Sequence, residues 1–142
     1  MKSKEWLQPN KGLRMFLIFI SLTGLGIIFI AQRFDYSLLF LDSLNAQSQF
    51  IINRSIRFLL NDNLVLLLIY GLFYDRKYVK FGLAVEAFGF FFLLIPYFIL
   101  RFNTPIDHMY ISFIHRLIIN PTLMVLLIPA IYIQRVNHKA DF

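Results

Sequence analysis

The side chains with chemical capacity in this sequence are few, and they stand where apolar residues would serve better. His115 and Arg116 are adjacent within the apolar stretch 110–133, with Asn120 and Pro121 following. Arg57, Asn61 and Asp62 lie in or beside the stretch 56–74, and Glu86 lies in the stretch 81–100. An imidazole near a carboxylate is the minimum for proton transfer. A guanidinium opposite a carboxylate makes a charge-assisted bond. Either group, left without a partner, would grip a polar group of another molecule. A charge inside a bilayer costs roughly 2.5 to 3.5 kcal/mol on insertion scales and normally faces a partner helix or a water-filled cavity. That cost makes His115 and Arg116 the first place to look for function.

Three readings of Arg57, Asn61, Asp62, His115, Arg116 and Asn120 compete. In the structural one, Asp62 and Arg116 satisfy each other between packed helices, and Asn61 and Asn120 bond across the same contact. In the second, the six residues form a cluster, open to the outer side, that binds a partner protein or peptide. In the third, His115 works with Asp62 as a catalytic or proton-carrying pair, although one histidine and one carboxylate define no reaction. The sequence has no cysteine, which removes disulfides, thiolate metal sites and a cysteine nucleophile. It shows no phosphate loop, no ligand set with metal spacing and no serine triad. A protein that is not an enzyme and uses neither metal nor cofactor is the expectation.

The elements that must position these residues are membrane helices. Of 142 residues, 58% are hydrophobic and 15% charged, against about 25% charged in soluble domains. Apolar runs predict an all-α, polytopic membrane protein, one domain over 1–142, with spans at 13–31, 56–74, 81–100 and 110–133 in a compact four-helix bundle. The segment 34–53 reads as a surface helix or a loop. The net charge of +6 could speak for nucleic acid, but Lys and Arg fall between the spans, so membrane lipids are the expected contact. Nine Lys and Arg lie on one side of this topology and five on the other. The positive-inside rule then puts both termini in the cytoplasm.

Counting 1.5 Å per residue from these boundaries sets Asp62 about 9 Å and Arg116 about 7.5 Å below the outer surface, and leaves Glu86 about 13 Å deeper than Asp62. Asp62 and Arg116 are therefore expected to pair, and Glu86 to stay apart. Gly82, Glu86 and Gly89, at i, i+4 and i+7, form the face best suited to close helix packing. A small carrier or channel component using Glu86 and the Asp62/His115/Arg116 cluster is a further possibility.

The run His115-Arg116-Leu-Ile-Ile-Asn120-Pro121-Thr-Leu-Met-Val-Leu-Leu-Ile-Pro129-Ala-Ile-Tyr-Ile-Gln134 resembles the ending of small integral membrane proteins associated with bacterial exosortases. Arg57-Phe-Leu-Leu-Asn61-Asp62 and Arg76-Lys77-Tyr78-Val79-Lys80-Phe81 are similar to the same group. The His-Arg and Asn-Pro pairs favour the exosortase X type over the exosortase F type. The resemblance covers roughly 53–135. It implies a multi-pass protein of a bacterial inner membrane with an exosortase as partner. Its role would be accessory: stabilising that enzyme or helping present the sorting-signal helix of its substrates. Exosortases cut with a cysteine, so this chain is not the enzyme.

Overall fold

The computed structural model describes residues 10–33, 45–103, 108–119 and 121–140. All regular structure among them is helical: α1, Lys11–Ile30, with a 3-10 turn Ala31–Arg33; α2, Ala46–Phe73; α3, Arg76–Asn103; α4, His108–Ile119; and α5, Thr122–Ala140. Three helices, α1 to α3, are long and apolar enough to cross a membrane, and α4 with α5 adds a fourth if that bent pair is one span. The outward faces agree with a lipid surround. Phe16, Phe19 and Phe29 of α1 and Phe88, Phe91 and Phe92 of α3 are exposed, a kind of surface that water-soluble monomers rarely carry.

α1 begins at Asn10, whose side chain accepts a bond from the Gly12 N–H at 3.3 Å, and so satisfies one of the orphan donors of the first turn. The helix runs antiparallel to α2. A Cβ at Gly71 would meet Leu17 Cβ at 3.2 Å and the Ile18 backbone nitrogen at 3.3 Å, and one at Gly24 would meet Leu64. Backbones approach this closely only where one has no side chain, which is how helices pack without a hydrophobic driving force between them. Ser21 lies fully buried between the two glycine contacts, its hydroxyl donating to Leu17 O at 2.7 Å.

α2 is 28 residues long and begins ten residues ahead of the expected span, so that 46–55 belongs to a helix. The residues 34–44 lie outside the described residues. At its other end Tyr74 adopts left-handed backbone geometry, φ 48°, and its N–H donates to Tyr70 O at 2.7 Å. Asp75 then caps α3, accepting from the Lys77 N–H at 2.9 Å. This two-residue hinge makes a tight antiparallel hairpin. Leu66 packs on Gly82 and Phe58 on Gly89.

α3 carries a π-helical turn over Phe90–Leu94, in which the Ile95 N–H reaches back to Phe90 O. The cause is Pro96, which has no N–H to offer the preceding turn and whose ring crowds the carbonyl there; the helix accommodates it by widening. The stretch 110–133 is also not one straight helix. α4 and α5 meet at a break beside Pro121 and are bent by 55°, again where a proline interrupts the backbone ladder. Asn120 lies outside the described residues.

The interior has two apolar clusters. Val65, Ile69, Met124, Leu127 and Ile131 fill the half nearest the α2–α3 hinge. Phe58, Leu94, Tyr97 and Ile118 fill the other half. Between them, at the level of α2 residues 61–63, the interior turns polar.

Candidate functional site

At the hinge end, α2 would leave its last carbonyls unsatisfied. Two arginines from distant parts of the sequence close them. Arg14 of α1 donates through Nε to Gly71 O at 3.1 Å and through Nη2 to Leu72 O, and Arg135 of α5 donates through Nη1 to Phe73 O at 3.2 Å. The Arg135 guanidinium also lies 5.9 Å from the centre of the Phe73 ring. Positive charge here complements the negative end of the helix dipole. With Arg76, Lys77 and Lys80 at the start of α3, basic residues outnumber the single carboxylate of Asp75 among the described residues at this end of the molecule. In the hinge, a hydrogen bond with Tyr70 raises the Tyr74 hydroxyl above the usual phenol range, and the two rings stack at 5.0 Å.

The polar layer midway along the bundle consists of Asn61, Asp62 and Glu86, all buried with 7% or less of their surface exposed. Asp62 and Glu86 lie within electrostatic reach of each other. The Asn63 amide donates both to Leu59 O at 2.8 Å and to Glu86 Oε1 at 3.2 Å. This corrects the expected 13 Å separation. Asn63 is eleven residues before Tyr74 and Glu86 eleven after Asp75, so a tight hinge must set them opposite one another. Measured from the hinge end, Asp62 is about 16 Å along α2 and Glu86 about 15 Å along α3. Both helices begin ahead of the spans expected at 56–74 and 81–100: α2 starts at Ala46 and α3 at Arg76.

The pairing of Asp62 with Arg116 is likewise not formed. Ile111, Ile114 and Ile118 turn one face of α4 onto the cluster of Phe58, Leu94 and Tyr97. His115 shares that face and stacks on Tyr97, ring centres 5.8 Å apart. Arg116, one step of about 100° further round the helix, is exposed and borders a groove of about 610 Å³ with Met109, Tyr110, Ser112 and Phe113. Among the described residues no carboxylate is paired with it. Adjacent positions on a helix cannot face the same neighbour, and the packing of the isoleucines decided which of the two turns inward.

His115 does not meet Asp62 either. The charges around its ring are the guanidinium groups of Arg54, Arg101 and Arg57. Arg57 is buried, Arg54 lies over the Phe50 ring at 5.2 Å, and Arg101 is exposed. The six residues expected in one cluster thus fall into separate places. Asn61 and Asp62 join Glu86 in the central layer, His115 lies on Tyr97 beside the guanidinium groups of Arg54, Arg57 and Arg101 towards the other end, Arg116 faces outward, and Asn120 is not described. Gly82, Glu86 and Gly89 are buried along the α3 face turned to α2. Arg14 and Arg135 were missed as capping groups, since nothing in sequence spacing relates them to residues 71–73. Asn63 could have been found by counting from the hinge.

Among the described residues, no three His, Cys, Asp or Glu side chains gather as a metal site would require. The described residues form an all-helical structure with three helices, or four if the bent pair is one span, long and apolar enough to cross a membrane, and their polar groups gather at the two ends and midway between them. Compared with known protein families, curated proteins and solved structures, it has no match.

Proposed function

We propose that this chain is a non-enzymatic membrane accessory protein that binds another integral membrane protein through the outward face of α4. Arg116 carries this reading. A guanidinium in the apolar helix of a membrane protein is costly and needs a counterpart. Here the described residues of the chain supply none, and the side chain borders an open groove with Tyr110 and Ser112. A second membrane protein presenting a carboxylate or backbone carbonyls at that depth would meet the need. The resemblance to exosortase-associated proteins supplies the identity of the partner: an exosortase of a bacterial inner membrane, stabilised or helped to present its sorting-signal helix. Four spans with both termini in the cytoplasm complete the proposal, supported by the basic residues gathered at the hinge end.

The test is co-purification of the two proteins in mild detergent. Arg116→Leu should reduce recovery of the exosortase at least tenfold while this chain remains folded and inserted. Equal recovery with Arg116→Leu, or no recovery with the unaltered chain, rejects the proposal. The central Asp62/Glu86 layer favours one competing reading, a small carrier of protons or cations. That reading requires flux through proteoliposomes that Glu86→Gln abolishes, and flux no greater than in empty vesicles removes it.

A further inference from the structure

Between α2 and α3, starting at the basic end, runs a groove of about 480 Å³. It is bounded from Tyr70 back to Asn63 on one helix and from Arg76 on to Leu83 on the other, a length of about 10 Å on each. Its character changes along that length. At the mouth stand Arg76 and Lys80, one turn apart on the same face of α3 and both exposed, with the Tyr70 ring across from them. Beyond the mouth the walls are Leu67 and Leu83. At the far end the Asn63 amide is already bonded to Leu59 O and Glu86 Oε1, so the groove presents no free donor in its apolar part. The nearest carboxylate at the mouth, Asp75, is occupied in capping the Lys77 N–H.

This sorting selects the ligand. A soluble anion would use the two cations and leave the apolar length empty. A neutral lipid would fill the apolar length and leave two cations without an anion. We propose that the groove binds an anionic phospholipid of the leaflet at the basic end, with its phosphate held by Arg76 and Lys80 and one acyl chain lying along Leu67 and Leu83. Basic pockets between membrane helices recognise lipid headgroups on these terms. The inference rests on the chain lying in a membrane and is independent of which protein partners it.

The full chain, purified in mild detergent and reconstituted in nanodiscs of equal phosphatidylglycerol and phosphatidylcholine, is released and its retained lipid counted by native mass spectrometry. Phosphatidylglycerol should be retained in preference. Arg76→Gln and Lys80→Gln should each lower that preference about tenfold, as expected when one charge-assisted bond to the phosphate is lost. Lys77→Gln, which changes the same turn but does not border the groove, should leave it unchanged. Leu83→Trp, which fills the groove and keeps both charges, should abolish retention; if that variant fails to insert, Leu83→Gln is read in the same way. Equal retention of the two lipids overturns the proposal. So does an equal effect of Lys77→Gln, which would mean unspecific surface attraction, or a Leu83 variant that inserts and retains phosphatidylglycerol as before.

Discussion

Replacing Arg14 by methionine keeps an unbranched apolar stem and removes both bonds to the end of α2. A hydrogen bond from a charged donor contributes about 1.5 to 3 kcal/mol, and an unsatisfied buried acceptor costs about 1 to 3 kcal/mol. Two bonds are lost, but Arg14 is only half-buried, and water at the membrane boundary can reach part of what is left. We therefore expect a loss of about 2 kcal/mol rather than the full sum. Arg14→Lys should lose about 1 kcal/mol, because an ammonium cannot address two successive carbonyls with the fixed fork of a guanidinium. Arg135→Met should cost about 1 kcal/mol for its single bond to Phe73 O. Because both arginines close the same helix end, the double variant should lose less than the two singles together, by about 0.5 kcal/mol or more. Reversible unfolding in mixed micelles by increasing dodecyl sulfate, followed by far-UV circular dichroism, measures all four. A midpoint for Arg14→Met equal to that of the unaltered chain would refute the capping role, as would strict additivity with Arg135→Met refute a shared helix end.

Other contacts give further predictions. Since the sequence holds no cysteine, the pair Asn63→Cys and Glu86→Cys, whose native side chains meet tip to tip, should be joined by a short bis-thiol cross-linker, whereas Asp62→Cys with Arg116→Cys should not; the reverse pattern in a gel-shift assay would overturn the hairpin register. In a double-mutant cycle, Asp62→Asn and Arg116→Gln should be additive within about 0.3 to 0.5 kcal/mol, as for residues that do not touch, and a larger coupling in the same micelle titration would restore their pairing. Gly71→Val should destabilise by about 1 to 3 kcal/mol through overpacking against Leu17 and the Ile18 backbone, and an unchanged midpoint would mean the two helices do not approach there.

How much of this was legible beforehand divides along physical lines. Apolar length is a local property, and it was enough for an all-helical chain with helices of membrane-spanning length and for the approximate places of those helices. Pro96 and Pro121 announced distortion through chemistry that proline carries wherever it stands, although whether the backbone would answer with a widened turn or a sharp bend was not contained in them. The Gly82, Glu86 and Gly89 face was readable from helical spacing alone, because three positions on one helix are fixed relative to each other whatever surrounds them.

What only the tertiary structure decided was which polar groups meet. Depth counted from assumed span ends set Asp62 beside Arg116, yet the hinge at Tyr74 and Asp75 locks α2 to α3 and brings Asp62 and Asn63 level with Glu86. Between His115 and Arg116 the choice of inward side chain fell to the isoleucines of α4 and the aromatic cluster that receives them. Arg14 and Arg135 reach the end of α2 from opposite ends of the sequence. A sequence determines how far along its own helix each charge lies; which neighbour that charge faces depends on how helices rotate and slide against one another, and that is settled by the shapes of all the side chains packed between them.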